Sequence, residues 1–139
     1  MKLLGIDYGA KRIGLAIADE ERKLAFPYDA VIENNKHAFD KILAIIKKEE
    51  IQTVVMGESK DYRNNPNPIM KRSGEFAKKL ADASGVRLDF EPEFLTTAQA
   101  RRSLGEKGKL DASAAAIILQ SHLDKKDDYK TPSNPVRFL

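Results

Sequence analysis

The chain has 139 residues, no cysteine, and 24 basic against 21 acidic residues, which leaves a formal net charge of +3. That length suits one domain over residues 1–139, and the lack of cysteine excludes a disulfide framework and thiolate metal ligation. No apolar stretch approaches the ~20 residues of a membrane-spanning helix. A strand pattern begins almost at once, so we expect a cytoplasmic protein with no signal peptide and no membrane partner.

An N-terminal β-hairpin is the first predicted element. Two apolar runs, residues 3–6 and 13–18, are separated by a glycine-bounded turn that carries Lys11 and Arg12. Asp7 stands near the end of the first strand and has no matching cation beside it on that strand. Because an isolated carboxylate is costly to bury, we expect a cationic group opposite Asp7, and a divalent metal is a good candidate.

A third strand, a helix and a fourth strand follow the hairpin. Residues 24–32 are predicted as a strand, and Pro27 places it at a sheet edge or at a bulge. Residues 36–50 show apolar side chains at helical spacing. Residues 53–57 form a continuously apolar run, which is typical of a central parallel strand.

The second half of the chain begins with a polar, turn-rich loop over residues 58–68. The remaining predicted elements are a helix over 69–83 with Gly85 as its C-cap, a strand over 86–90, a short helix over 96–104, a polar loop over 105–109, a largely buried helix over 110–124 and an irregular tail over 125–139. The order predicts an α/β fold with a mixed five-stranded sheet, three antiparallel strands followed by parallel ones, and helices on both faces.

Three acidic residues fall at strand ends or helix starts of this sheet: Asp7, Glu93 and Asp111. Each has an ordinary explanation, namely backbone hydrogen bonds in a turn, a loop carboxylate and a helix N-cap. Their joint placement favours a metal site, because clustered carboxylates persist only when cations neutralise them. Oxygen ligands without cysteine indicate Mg²⁺ or Mn²⁺, and a carboxylate-bound metal pair supports phosphodiester hydrolysis.

The chain resembles the YqgF family of RNase H-like nucleases in three blocks. These are residues 5–9 with 11–16 and Asp19, residues 95–97 with Glu93, and residues 111–116 with 118–121. The resemblance implies an RNase H-like fold and a catalytic, metal-binding triad of Asp7, Glu93 and Asp111. It also implies a Mg²⁺- or Mn²⁺-dependent endonuclease that processes the 5′ end of pre-16S rRNA during ribosome biogenesis, or resolves Holliday junctions.

The chain departs from the family pattern beside the second acid and after the fourth strand. Pro92 and Phe94 stand where family members commonly have Asp and Arg, and a different polar loop follows Gly57. These changes spare the triad and put substrate positioning in question.

Four basic residues are candidate substrate contacts: Lys11, Arg12, Lys60 and Arg63. Lys60 and Arg63 accompany Tyr62, a composition that suits contact with a nucleic-acid backbone and base stacking, although ordinary surface-loop chemistry explains it equally well. A solvated hairpin turn likewise remains an alternative for Lys11 and Arg12. His37 and His122 are isolated. His122 could lie on the same stripe of the last helix as Asp111 and Ile118, but a packing role is favoured for it.

The expected partner is nucleic acid, either pre-rRNA or branched DNA, and ribosomal particles are a further candidate. Two alternatives to a nuclease remain open at this point: a non-catalytic nucleic-acid-binding or ribosome-associated protein, and an ATP-binding module of actin-like fold. The second needs nucleotide bound between two such domains, so the length of this chain counts against it. The sequence leaves a monomer and a homodimer equally open.

Overall fold

The predicted hairpin forms the centre of a mixed sheet. The computed structural model describes residues 1–19, 21, 23–28, 32–59, 68–93 and 107–130. Its elements, in chain order, are β1 (Lys2–Tyr8), β2 (Arg12–Asp19), β3 (Leu24–Pro27), β4 (Ile32–Glu33), α1 (Ala38–Lys48), β5 (Ile51–Ser59), α2 (Pro68–Ser84), β6 (Arg87–Glu93) and α3 (Lys107–Lys130).

The strand order is β3-β2-β1-β5-β6, and the short β4 also pairs with β2. Strands β1 and β2 are antiparallel, whereas β1, β5 and β6 are mutually parallel. The predicted mixed α/β sheet is therefore confirmed. The predicted third strand is divided into β3 and β4, and Pro27 lies in the edge strand β3, where a missing N–H is tolerated.

The helices cover both faces of the sheet, as predicted. Alternate residues of β1 point to opposite faces, so Leu4 and Ile6 belong to one buried cluster and Leu3 to another. The first cluster also contains buried residues of α1 and α2, and the second contains those of α3. Among the described residues, every helix is too short or too polar to cross a membrane.

The first two helices lie close to their predicted bounds. Helix α1 has Asp40 in its first turn and Lys47 and Lys48 in its last, an arrangement that complements the helix dipole. Helix α2 ends before Gly85, whose φ of +76° is the left-handed conformation expected of a C-cap glycine.

Four predicted boundaries are wrong. Strand β5 continues to Ser59, so residues 58 and 59, which were predicted as loop, belong to it. Strand β6 continues past Phe90 to Glu93, since its polar end still pairs with β5. Helix α3 includes residues 107–109, which were predicted as loop, and residues 125–130, which were predicted as irregular tail. Polar residues carry no apolar periodicity, so the sequence pattern hid both ends of this helix. Residues 131–139 and the predicted short helix over 96–104 lie outside the described ranges.

Helix α3 was predicted to be almost wholly buried in its middle. Ala114, Ala115, Ile118 and Leu119 are buried, but Ile117 is 41% exposed. The helix is therefore covered on the side facing the sheet and open on the other.

Helix α3 rests directly on the backbone of β1 at Gly5. A Cβ atom placed on Gly5 would lie 2.9 Å from the carbonyl oxygen of Ala115 and 2.9 Å from Cβ of Leu119. Ala16 and Ala18 of β2 belong to the same buried cluster, so small residues line much of this face. Glycine at position 5 therefore sets how closely the helix approaches the sheet.

Replacing Gly5 by alanine is expected to destabilise the protein, because the added methyl group meets the backbone of α3. The free energy of unfolding should fall by about 1–3 kcal/mol, the usual cost of overpacking a core. Urea unfolding followed by circular dichroism measures it. Gly74→Ala is the matched control, because no atom lies within 4 Å of its added Cβ. In a helix that change should stabilise by about 0.5–1 kcal/mol, and an equal effect of both substitutions would contradict the close-contact explanation.

Candidate active site

A rigid turn holds Lys11 and Arg12 beside the end of β1. The N–H of Gly9 donates to the carbonyl oxygen of Arg12 at 3.0 Å, and a Cβ on Gly9 would lie 2.5 Å from that oxygen. Asn34 fixes the turn from outside, since its N–H donates to Lys11 O at 2.9 Å and its Nδ2 donates to Gly9 O at 2.8 Å. This turn directly follows β1, so Lys11, which is exposed, and Arg12, which is half-buried, lie near the carboxyl end of that strand.

Asp7 is buried, with 4% of its surface exposed. It pairs with Gly14 of β2 and lies two residues after Gly5, on the face of β1 that packs against α3. The structure thus buries this carboxylate in an apolar strand, as the sequence predicted. The cationic group expected opposite it stays a prediction.

The parallel strands bring the backbone of Glu93 to the same edge of the sheet as Asp7. Ile6 pairs with Met56, and Ser59 pairs with Glu93, so the carboxyl ends of β1, β5 and β6 meet at one edge. Glu93 is the last residue of β6 rather than a loop residue after it, which corrects the prediction.

Asp111 belongs to α3, in its second turn and not at its start as predicted. It precedes Ala115 by four residues, about 6 Å along a helix, and Ala115 contacts the β1 backbone at Gly5. Asp7 lies two strand residues, about 7 Å, from the same contact. The fold therefore keeps the backbones of both residues near one point of the β1–α3 interface.

The side chains of Glu93 and Asp111, and residues Lys60 to Arg63 entirely, lie outside the described part of the chain. Within that part, no three histidine, aspartate or glutamate side chains are grouped so as to hold a metal ion. The metal-binding triad and the contacts of Lys60 and Arg63 therefore stay predictions.

Glu91 is a buried acid at this edge that the sequence analysis missed. It is 3% exposed, and its Oε2 accepts hydrogen bonds from Ser121 Oγ at 2.9 Å and Lys125 Nζ at 2.6 Å. Glu91 pairs with Gly57, and continuing the β1–β5 register places Gly57 beside Asp7. The two buried acids thus lie in one row across the sheet, separated by a residue that has no side chain.

His122 lies between Glu91 and a second acid of β6. Its Nε2 is 3.4 Å from Asp89 Oδ2 and its Nδ1 is 3.8 Å from Glu91 Oε1, and 13% of its side chain is exposed. Arg87 Nε donates to the other oxygen of Asp89 at 3.3 Å. The packing role favoured for His122 from the sequence stays a prediction.

A signal for this cluster was present in the sequence. Asp89 and Glu91 are two residues apart, and that spacing places both on one face of a strand. A strand that ends at Phe90, as predicted, leaves Glu91 outside this spacing, so the pattern indicates only Asp89.

Comparison with known proteins assigns a family. The profile of RuvX, described as a Holliday junction resolvase, matches residues 1–125. A protein of Endomicrobium trichonymphae is 36% identical over 138 residues, which cover 91% of this chain and 98% of that relative. A protein of Anaeromyxobacter sp. (strain Fw109-5) is 35% identical over 133 residues, covering 89% and 97%. Both relatives carry the provisional name pre-16S rRNA nuclease.

Solved structures agree on the fold. RuvC of Thermus thermophilus matches with a TM-score of 0.63 at 18% identity, covering 92% of this chain and 97% of RuvC. The same protein in complex with a Holliday junction substrate matches with a TM-score of 0.58 at 17% identity, covering 91% and 95%. At this identity the likeness concerns the fold. Taken with the profile match and the two relatives, it shows that the chain is a member of the RuvX (YqgF) family with an RNase H-like fold.

Proposed function

We propose that this protein is a metal-dependent endonuclease that hydrolyses phosphodiester bonds in structured nucleic acid. The observation that carries the proposal is the buried carboxylate of Asp7 at the edge where β6 ends at Glu93, in a chain that belongs to the RuvX family. An acid placed there, within reach of a fixed basic turn, suits a site that acts on a polyanion.

The preferred substrate is the 5′ end of pre-16S rRNA, in the cytoplasm and on ribosomal precursors. This choice follows the names of relatives that are 30–36% identical to this chain over nearly their whole length. The second candidate substrate is a four-way DNA junction, which the description of the matching family favours. The two substrates share the chemistry of the site and differ in the shape of the nucleic acid.

The residues of the site fit a hard divalent cation. Asp7, Glu93 and Asp111 supply only carboxylate oxygens, the donors that Mg²⁺ and Mn²⁺ prefer, and burial of Asp7 increases its demand for a positive partner. When bound, such an ion supplies an activated water and stabilises the leaving oxygen. The three carboxylates would hold it.

The basic turn supplies the contact with substrate. Lys11 and Arg12 lie on a backbone that Gly9 and Asn34 fix, so their cationic groups attract and orient a phosphate without first ordering a loop. Asp7 is 4% exposed, so it is largely shielded from water. The chain's own residues thus position the phosphodiester, and a cation bound by Asp7 would compensate its buried charge.

Asp7→Asn is expected to reduce cleavage by at least about 100-fold, because the amide keeps the shape of the side chain and loses the charge that holds the cation. Cleavage of a pre-16S 5′-end RNA and of a four-way junction is measured in Mg²⁺ and in Mn²⁺. Asp40→Asn, the same change at an exposed position of α1, serves as the control and should cleave normally. Undiminished cleavage by Asp7→Asn would sink the proposal, and binding without any metal-dependent cleavage by the wild type would favour the non-catalytic alternative.

Glu91 has a positioning role in this proposal. Its contacts with Ser121 and Lys125 tie the end of β6 to α3, the two elements that carry Glu93 and Asp111. Glu91→Gln removes the charge and weakens both hydrogen bonds. Since Lys125 is 54% exposed and can turn to solvent, the loss of unfolding free energy should be about 1–2 kcal/mol.

The kinetic effect of Glu91→Gln distinguishes a positioning role of Glu91 from a role in stability alone. We expect kcat to fall several-fold with little change in KM at a temperature where the variant is fully folded, because the acids shift relative to one another. Glu91→Asp should recover part of the activity, and Glu50→Gln, the same change at an exposed position after α1, should behave as wild type. A stable Glu91→Gln protein with unchanged kcat refutes the positioning role.

A further inference from the structure

A cleft of about 520 Å³ lies on the face of the sheet opposite α3, between the start of α1 and the middle of α2. Three aromatic residues and three basic residues line it, and we call it the aromatic–basic cleft: Tyr8, Phe39, Phe76, Lys36, Arg72 and Lys79. None of these residues belongs to the proposed catalytic set. Glu75 is the acidic residue among the lining side chains.

The aromatic rings form a connected group. The ring centroids of Tyr8 and Phe76 are 5.1 Å apart with an interplanar angle of 52°, and those of Phe39 and Phe76 are 5.9 Å apart at 83°. All three residues are half-buried, so each anchors on the core and still exposes part of its surface. Partly exposed aromatic rings provide the surface on which an unpaired base stacks.

The charge of the cleft is positive. Lys36, Arg72 and Lys79 are exposed and outnumber the single acid Glu75. Arg72 and Lys79 are seven residues apart on α2, two turns along the same side of the helix, which separates their backbones by about 10 Å. Cations spread along a groove follow an extended polyanion better than they fit one compact anion.

The cleft begins where the proposed catalytic edge ends. Tyr8 directly follows Asp7 in β1, and adjacent residues of a strand point to opposite faces. Asn34, another lining residue, donates to Gly9 O and so belongs to the turn that carries Lys11 and Arg12. A chain of nucleotides that crosses the sheet edge at Asp7 therefore passes the basic turn and reaches the cleft at Tyr8.

We infer that the aromatic–basic cleft binds a single-stranded segment of the nucleic-acid substrate, flanking the phosphodiester at Asp7. The inference rests on the proposed function for its setting and on the cleft for its chemistry. Stacking on the rings requires unpaired bases, which a duplex does not offer. An acidic peptide would satisfy the cations and leave the rings without a stacking partner.

The test measures binding apart from cleavage. A labelled single-stranded RNA of about twelve nucleotides, a length within the range that one OB fold covers in single-strand-binding proteins, is titrated by fluorescence anisotropy in EDTA at several salt concentrations. The variant R72E/K79E should raise Kd at least about tenfold. It should also make the slope of log K against log salt less steep by about 1.4, because each phosphate contact with a single strand contributes about 0.7 and the variant removes two such contacts.

The matched control is K71E/K78E. It makes the same charge change at the neighbouring exposed positions of the same helix, which do not line the cleft. This variant should lose clearly less affinity and less salt dependence than R72E/K79E. Equal losses would reduce the effect to general attraction of a polyanion and overturn the inference.

Two further variants guard against loss of binding through misfolding. Glu75→Lys should tighten binding several-fold, a gain that an unfolded protein cannot produce. Phe39→Leu, checked to have an unchanged secondary structure, should weaken binding about fivefold. That factor corresponds to the lower end of the binding free energy that one stacked base contributes. The inference is wrong if Glu75→Lys does not tighten binding. It is also wrong if polyglutamate displaces the RNA as readily as unlabelled RNA does.

Binding measured in EDTA and cleavage measured in Mg²⁺ on the same variants distinguish the cleft from the catalytic proposal. If R72E/K79E loses binding while wild-type protein never cleaves, the cleft stands and the endonuclease proposal fails. If cleavage depends on Asp7 while R72E/K79E and K71E/K78E bind alike, the endonuclease proposal is supported and the inference about the cleft is wrong.

Discussion

The contact between α3 and the backbone of β1 at Gly5 is the constraint on which the rest of the site depends. A side chain at position 5 would push the helix outward. The alanines in the same buried cluster, Ala16, Ala18 and Ala115, have short side chains and so also allow the helix to lie close to the sheet. The helix consequently lies close enough to the sheet for Ser121 and Lys125 to reach Glu91 on β6. One glycine thus links the central strand, the edge strand and the helix that carries Asp111.

The end of β1 contributes one residue to each face of the sheet. Asp7 belongs to the side covered by α3, where Asp89 and Glu91 add negative charge, whereas Tyr8 belongs to the cleft with Lys36, Arg72 and Lys79. The acids of this sheet edge therefore lie on the α3 face, where Arg87 and Lys125 pair with two of them, and the basic residues of the cleft lie on the other face. A net charge of +3 says little about affinity for nucleic acid, because this local separation determines where a polyanion is attracted and where a cation is needed.

The sequence sufficed where apolar periodicity was strong. The hairpin, α1, α2 and the central strand β5 follow from alternating or helical spacing, and Asp7 was found because it interrupts an apolar run. The pattern failed where backbone pairing continues through polar residues, at the end of β6 and at both ends of α3. The family resemblance, rather than periodicity, supplied the RNase H-like fold that the structure shows.

The cluster around Glu91 could not be predicted because it depends on distance in space. Its partners Ser121 and Lys125 are 30 and 34 residues away along the chain, and nothing in their local spacing marks them. The aromatic–basic cleft has the same character, since Tyr8, Phe39 and Phe76 come from three separate elements. Local patterns identify residues that interrupt the apolar spacing of their own strand or helix. They cannot identify residues that come into contact only after the sheet has formed.

Pro92 shows that a departure from the family pattern need not disable the site. Position 92 pairs with Glu58 of β5 and is exposed, and it lies on the other side of β6 from the buried Glu91. Losing an acid there takes no charge from the face that packs against α3. Because β6 is an edge strand, it also tolerates a residue without an N–H donor. The row formed by Asp7 and Glu91 is therefore independent of the substituted position, and a change of substrate contacts is the consequence to expect from Pro92, rather than a loss of the acidic edge.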